Sequence, residues 1–271
     1  MSNRMKIALW IIGILAVLIS AKSVVFPVIP TVEFRIPWFL VSRGALHFFD
    51  ESNCDAKYEK IVKSNNQPEI KGIDVSHHQG DIDWKMVMKA QPQLAFVYVK
   101  CTEGKSYVDP KFKVNAEGAS AVGYKVGAYH YFRMTSSAHD QFENFKKQMD
   151  AVHIDLIPMV DVERDDGKPR KELQDSLKVL LDLLEQAYSK KPMIYGTNRS
   201  YNEFCAPEFN YYPLYIGRYG KNKPVVKGAS HYTIWQYSED TRIPGIPKPV
   251  DMCRFHPAYR EDSIEKFLSI F

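Results

Sequence analysis

From residue 70 onward, short apolar segments alternate with segments of helical periodicity, and this alternation limits the folds open to the chain. The predicted strands are 70–75, 94–100, 126–132, 157–162, 192–195, 214–218 and 232–237. The predicted helices are 84–89, 111–121, 137–151 and 171–188. Strands that alternate with helices are typical of an α/β fold, in which crossover helices join parallel strands. Because the later connections are too short to hold a full helix each, we expect a distorted or incomplete β/α barrel rather than a regular eightfold one.

Two carboxylates, Asp161 and Glu163, end the apolar segment that begins at Leu156. Because side chains alternate along a strand, both should project from one face, with their carboxyl groups roughly 6–7 Å apart. Two acids this close repel each other, so one pKa rises and that group can keep a proton near neutral pH. A protonated acid beside a carboxylate is suited to cleaving an acetal such as a glycosidic bond. The alternative is a solvated strand end that carries two surface acids.

Polar side chains also end or follow other predicted strands, at the edge where β/α barrels carry their chemistry. They are Asp74, Ser76 and His77 at the first strand, Thr102 and Glu103 at the second, Tyr129 and Tyr131 at the third, Tyr195 at the fifth and Gln236 at the seventh. Tyrosine rings suit the C–H faces of sugars, although a place in the core would also explain them. Acids and tyrosines that recur at consecutive strand ends predict a cleft at this edge.

The amino-terminal residues predict a membrane anchor or an export signal. Arg4 and Lys6 precede residues 7–21, an apolar run interrupted only by Ser20. Counted across Lys22 to residue 29, the run is long enough to span a bilayer, so we favour an uncleaved hydrophobic helix over a cleaved signal peptide. The basic residues before the run predict that the bulk of the chain lies outside the cytoplasm. We assign 1–30 to this anchor or signal, 31–69 to a linker or juxtamembrane segment, and 70–271 to the main domain.

Composition excludes several function classes. The formal charge of +4 is only mildly basic, and the absence of a Lys/Arg block predicts no nucleic-acid partner. The four cysteines, Cys54, Cys101, Cys205 and Cys253, have no zinc-site spacing, and Cys101 lies in an apolar run that predicts a buried thiol. The adjacent His77 and His78 should point apart at a strand end. We therefore predict no metal site. We also predict that the protein needs no cofactor, and we expect a monomer.

The motifs from residue 72 to residue 251 resemble those of glycoside hydrolase family 25, the N-acetylmuramidases of the lysozyme kind. The segments that carry the resemblance are 72–80 (GIDVSHHQG), 82–84 (IDW), 96–104 (FVYVKCTEG), 127–132 (GAYHYF), 158–163 (PMVDVE), 192–195 (PMIY), 234–237 (IWQY) and 250–251 (VD). The resemblance implies a flattened, irregular, TIM-like β/α barrel in residues 70–271. It also implies hydrolysis of the β-1,4 bonds between N-acetylmuramic acid and N-acetylglucosamine in the glycan strands of peptidoglycan.

Position within these motifs implies a role for each site residue. Glu163 is similar to the family's proton donor, and Asp161 to the carboxylate that orients the substrate's 2-acetamido group for attack on the anomeric carbon. Asp74 and Asp251 match two further acids of the family's cleft. The implied substrate contacts are Tyr129, Tyr131, Tyr195, Trp235, Gln236 and Glu103. One departure follows Asp251, where the family commonly has Asn two residues later and this chain has Cys253.

Two other functions fit the same residues. A non-catalytic glycan-binding module could tether the cell envelope to the membrane, although the presence of all the principal acids argues against a dead enzyme. Alternatively, the same chemistry could act on another polymer of N-acetylglucosamine, such as chitin, because loops determine which glycan is bound.

Overall fold

The computed structural model describes residues 69–229, 231–259, 264, 266 and 267. The strands are β1 (Lys71–Val75), β2 (Leu94–Glu103), β3 (Tyr107–Val108), β4 (Lys125–Tyr131), β5 (Met159–Asp161), β6 (Met193–Thr197), β7 (Leu214–Gly217), β8 (Ile234–Thr241) and β9 (Val250–Phe255). The helices are α1 (Trp84–Ala90), α2 (Phe112–Ala121), α3 (Ala138–Met149), α4 (Arg170–Tyr188) and the single turn α5 (Asn198–Ser200). A 3-10 turn covers His77–Gln79 and a π-helical turn covers Tyr201–Cys205. The predicted anchor or signal and the linker up to residue 68 lie outside the described residues.

Eight of these strands close into a barrel. Around the ring the order is β1, β2, β4, β5, β6, β7, β8 and β9, and β9 pairs with β1 to complete the circle. The pairs from β1 to β8 are parallel, whereas β9 runs antiparallel to both of its neighbours. The short strand β3 pairs only with the end of β2. The barrel is therefore closed, which excludes the incomplete form that the sequence had left open.

The seven predicted strands and four predicted helices are all present. Two strands were not predicted, β3 and β9, and the second of these closes the barrel. Strand β2 continues to Glu103, three residues beyond its predicted end, with a shift of register against β4 between Lys100 and Thr102. Such a bulge adds one residue to a strand and so changes which face the following side chains occupy.

The core has two layers because strand side chains alternate between the inside and the outside of the barrel. Aromatic and long apolar side chains fill the inside, among them Phe96, Tyr98, Tyr215 and Phe255. Gly127 on β4 makes room for one of these rings, since a Cβ atom at that position would lie 2.3 Å from a carbon of Tyr98. The outer layer packs the barrel against the helices.

The long helix α4 shows how the outer layer forms. Its apolar residues recur at helical spacing, as the sequence predicted, and they are all fully buried in the outer layer: Leu173, Leu177, Leu180, Leu181 and Leu184. Over the part of the chain that the structure describes, we find no helix with the length and apolar character needed to span a membrane.

Candidate active site

A cleft of about 280 Å³ opens where the parallel strands of the barrel end. The predicted residues that line it are Asp74 from β1, Tyr129 and Tyr131 from β4, Asp161 from β5 with Glu163 beyond it, Tyr195 from β6, Gln236 from β8 and Asp251 from β9. The antiparallel direction of β9 brings the beginning of that strand to the same edge. Asp251 consequently lies directly opposite Asp74, with the two residues paired in the ladder between β1 and β9.

Asp161 and Glu163 both face the cleft, while Val162 between them points into the outer core. Asp161 is 7% exposed, and its Oδ1 atom accepts no hydrogen bond from the described residues. Burial raises the pKa of Asp161 well above its usual range, and the charge of Glu163 raises it further, whereas Lys100 opposes both effects. The predicted arrangement of two acids on one face is thus present.

Glu163 is more exposed than Asp161 and has a hydrogen-bond donor of its own. The Tyr131 hydroxyl donates to Glu163 Oε2 over 3.4 Å. Burial raises the pKa of Glu163, and the Tyr131 hydrogen bond and the Lys100 charge lower it by less. An acid that is partly buried and whose pKa is raised keeps its proton to a higher pH than a solvated glutamate does and can release it to a bound oxygen atom.

Asp74 is held on the opposite wall by two donors. The Tyr215 hydroxyl lies 2.7 Å from Asp74 Oδ2, and the Gln236 amide nitrogen lies 3.0 Å from the same oxygen. Burial raises the pKa of Asp74 to about 6 despite these hydrogen bonds. Burial followed by the charge of Asp74 raises the pKa of Asp251 to about 8. Since each carboxyl raises the pKa of another, the acids of the cleft titrate as a group.

Two of the predicted substrate contacts do not line the cleft. Trp235 is 2% exposed, packs in the outer core, and donates from its indole nitrogen to the backbone oxygen of Arg218 over 2.6 Å. Its neighbour Gln236 faces the cleft instead, because adjacent strand residues point to opposite faces. Glu103 is engaged by two cations, Lys100 at 2.8 Å and Arg133 at 2.9 Å. Trp235 is therefore a core residue and does not reach the cleft, whereas the role of the ion-paired Glu103 as a substrate contact stays a prediction.

Sequence reasoning missed three residues of the site. Lys100 lines the cleft although it lies within the apolar strand β2, and a lone charge in such a strand is the signal that would have identified it. Tyr219, beyond β7, lines the cleft and donates to Gln236 Oε1 over 3.2 Å. Tyr215, the donor to Asp74, is fully buried and could be placed only from the direction of its strand.

The histidines beside the cleft have protein partners. His77 Nδ1 lies 2.7 Å from Asp109 Oδ2, and His78 lines the cleft. His130 is buried and lies within hydrogen-bond distance of Thr102 and Gln141. Within the described ranges, no cluster of three or more His, Cys, Asp or Glu side chains is arranged for a metal ion. Cys101, Cys205 and Cys253 are buried free thiols.

A closed β/α barrel whose cleft holds a buried carboxyl group beside a more exposed acid of raised pKa has the groups that glycoside hydrolysis requires. The family model for Glycosyl hydrolases family 25 matches residues 73–246. The chain therefore belongs to glycoside hydrolase family 25.

Relatives and solved structures agree with this assignment. The chain is 35% identical to the protein YegX of Escherichia coli O6:H1 over 234 residues, which cover 85% of each chain. It is 27% identical to Lysozyme M1 of Streptomyces globisporus, with 73% of this chain and 71% of the relative covered. A family 25 glycosyl hydrolase of Bacillus anthracis superposes with a TM-score of 0.67 at 30% identity, over 73% of this chain and 93% of that one. A lysozyme of Streptomyces coelicolor gives 0.64 at 27% identity, over 73% and 100%.

Proposed function

We propose that this enzyme is a lysozyme-type N-acetylmuramidase that acts as a monomer on the glycan strands of peptidoglycan. Its bond is the β-1,4 linkage between N-acetylmuramic acid and N-acetylglucosamine. The observation that carries the proposal is the pair Asp161 and Glu163, which share one cleft and have raised pKa values for which burial is the main cause. Membership of family 25 and similarity to named lysozymes support the choice of substrate.

In the proposed reaction Glu163 donates its proton to the oxygen that leaves with the next sugar. The carbonyl oxygen of the substrate's own 2-acetamido group attacks the anomeric carbon. This closes a second, cationic ring that contains the acetamido group, and the charge of Asp161 stabilises it. Glu163, now a carboxylate, takes a proton from water as that water opens the ring, so the anomeric configuration is retained. Because the nucleophile belongs to the substrate, the usual distance rule between two catalytic carboxyl groups does not apply.

In this proposal the other cleft residues bind the sugar rings and stabilise the charge that develops on the substrate. Asp74 places negative charge near the developing positive charge at the anomeric carbon, which stabilises the transition state more than the ground state, and the Asp251 carboxyl, whose pKa is about 8, hydrogen-bonds to Asp74. Tyr129, Tyr195 and Tyr219 present rings and hydroxyls to the sugars, and the OH group of Tyr195 is fixed by a 2.7 Å hydrogen bond to Gln236.

The decisive experiment is to digest purified sacculi and identify the new reducing ends after borohydride reduction. We expect reduced muramic acid, since this reaction leaves the muramic acid carbonyl free. Glu163→Gln should lower kcat by about 10²–10⁴-fold, the usual contribution of a general acid. Glu143→Gln, which changes an exposed glutamate on α3, is the matched control and should keep full activity.

Other results of the same experiment would identify the alternatives. Reducing ends of N-acetylglucosamine would mean a glucosaminidase. Binding to sacculi without release of soluble fragments would indicate a glycan-binding tether, and faster cleavage of chitin oligomers would indicate another N-acetylglucosamine polymer as substrate.

We also propose that the enzyme works outside the cytoplasm, anchored by the apolar run 7–29 counted across Lys22. The support is the basic and then apolar order of the amino terminus together with a substrate that lies in the cell envelope. We expect the full chain to remain in membranes washed with alkaline carbonate, and Leu15→Arg to release it because a charge in the run opposes insertion. Leu15→Ile is the matched control. If the mature protein in the envelope fraction begins after residue 20 and the carbonate wash removes it from the membranes, the amino terminus is a cleaved signal peptide instead.

A further inference from the structure

Lys100 is an unusual residue for the middle of this barrel. It is only 9% exposed, and lysine is almost never buried without a partner. Its ammonium nitrogen lies 2.8 Å from Glu103 Oε2 and 5.0 Å from the centre of the Tyr131 ring. Tyr131 in turn donates to Glu163. Lys100 therefore stands inside the acid-rich cleft, in contact with the residue that holds the proposed proton donor.

A chain of alternating charges holds Lys100 in place. Glu103 binds Lys100 through one oxygen and Arg133 through the other, the latter over 2.9 Å. Arg133 also donates to Asp166 over 3.0 Å, and Asp166 accepts from the backbone of Met134. Asp166 belongs to the same loop as Glu163, and it has a left-handed φ of 49° that is costly for a residue other than glycine. The network thus fixes both the cation and the loop of the acid.

The surroundings of Asp161 leave Lys100 as its main source of positive charge. The acids around the cleft are Asp74, Glu103, Glu163 and Asp251. The phenols stay neutral because burial raises the pKa of each: Tyr129, Tyr131 and Tyr195. Burial lowers the pKa of His78, which disfavours the charged form of this ring. Arg164 is exposed to solvent, which screens its charge.

We propose that Lys100 is a positioning residue of the reaction, whose buried cation favours the ionised forms of Asp161 and Glu163 together and so sets the pH range in which the two carboxyl groups work. The inference rests on the proposed function, since it assigns those two carboxyl groups their roles. A cation close to a set of acids favours their ionised forms. Without it, burial and mutual repulsion would protonate Asp161 at a pH where the reaction needs its charge.

The test is the pH profile of kcat/KM on peptidoglycan fragments for Lys100→Met and Lys100→Arg. Loss of the cation raises the pKa of both carboxyl groups, so both limbs of the bell-shaped profile should move to higher pH. Below the wild-type optimum, Lys100→Met should lose about tenfold more activity than at the optimum. Lys100→Arg should keep the wild-type limbs. Lys125→Met, which removes an ion-paired lysine at the start of β4, at the other end of the barrel, is the control and should leave the profile unchanged.

Glu103→Gln gives a second test with the opposite sign. It removes the negative charge that pairs with Lys100 and leaves the cation without that neutralising partner, so both limbs should move to lower pH. If Lys100→Met does not fold, Lys100→Gln, which removes the cation and keeps a polar side chain, takes its place in the same measurement. Limbs that stay fixed in folded Lys100→Met, with only KM raised, would mean that Lys100 binds the substrate instead, and fixed limbs in Glu103→Gln would also overturn the proposal.

A readout without catalysis separates this inference from the proposed function. Titration of the Asp161 and Glu163 carboxyl carbons by NMR should show both moving to higher pKa values in Lys100→Met. If the wild-type protein releases no fragments from sacculi, the proposed function fails, whereas the NMR shift still reports on Lys100. If fragments are released and the carboxyl titrations are the same in both proteins, the Lys100 inference alone fails.

Discussion

At the scale of single residues, the cleft concentrates acids that would be more stable apart. Asp74 and Asp251 face each other across the ladder between β1 and β9, and each has a raised pKa with burial as the main cause. A carboxyl group whose pKa is higher in the folded state binds its proton more tightly there than in the unfolded chain. Folding is therefore favoured at low pH and loses this contribution as the pH rises.

This linkage predicts the effect of Asp251→Asn on stability. For Asp251 the contribution is complete below the ordinary pKa of 3.8 and is lost as the pH rises toward about 8. The amide cannot ionise, so the variant should be more stable than wild type by about 1–2 kcal/mol at pH 8 and nearly equal at pH 4. For a domain of this size each kcal/mol corresponds to roughly 2–4 °C in Tm, which differential scanning fluorimetry resolves.

The control for this prediction is Asp175→Asn, which changes an exposed, ion-paired aspartate on α4. Its difference from wild type should not grow between pH 4 and pH 8. If the stability gained by Asp251→Asn is the same at every pH, then ionisation of the Asp251 carboxyl is not what destabilises the wild-type fold. Activity is expected to fall in the same variant, because a site acid has been removed.

At the scale of elements, strongly periodic segments were predictable and the barrel's closing strand was not. The leucine stripe of α4 and the apolar cores of β2 and β6 each identify their own structure. β9 follows a proline-rich loop, and Asp251 and Arg254 interrupt its apolar residues, so its pattern resembles a loop. Its partners β1 and β8 are needed to recognise it, and β1 is nearly the whole domain away in sequence.

The candidate site shows the same limit at strand ends. The acids were predictable because Asp74, Asp161 and Glu163 end clear strands. The inward or outward direction of a neighbour was harder to predict, since it depends on strand parity and on bulges. Trp235 and Gln236 are adjacent in β8 and cannot both face the cleft. The irregularity in β2 after Lys100 brings Glu103 into register with Tyr131, on the face that Lys100 also occupies, and no local sequence signal marks it.

At the scale of the whole molecule, closure leaves none of the eight barrel strands at an edge of the ring. β9 pairs with β8 on one side and β1 on the other, so it has no free edge in the barrel. The acid pair at the cleft depends on this, because Asp251 reaches Asp74 only when the last strand is in register. The active site and the stability of the barrel therefore share one structural requirement.

We predict from this closure that Met252→Pro unfolds the barrel as a unit. Met252 is opposite Ile73 on β1 and Ser238 on β8, and proline removes a ladder hydrogen bond where no edge exists to tolerate it. We expect a loss of about 3 kcal/mol or more, while Met252→Leu, which nearly conserves volume, should cost less than about 1.5 kcal/mol. Hydrogen exchange at β5, four strands away around the ring, is the measurement that decides. If Met159–Asp161 keep their protection while only β9 exchanges, the barrel opens locally and its closing strand is an independent unit; if protection is lost at both places, closure is what holds the two catalytic walls together.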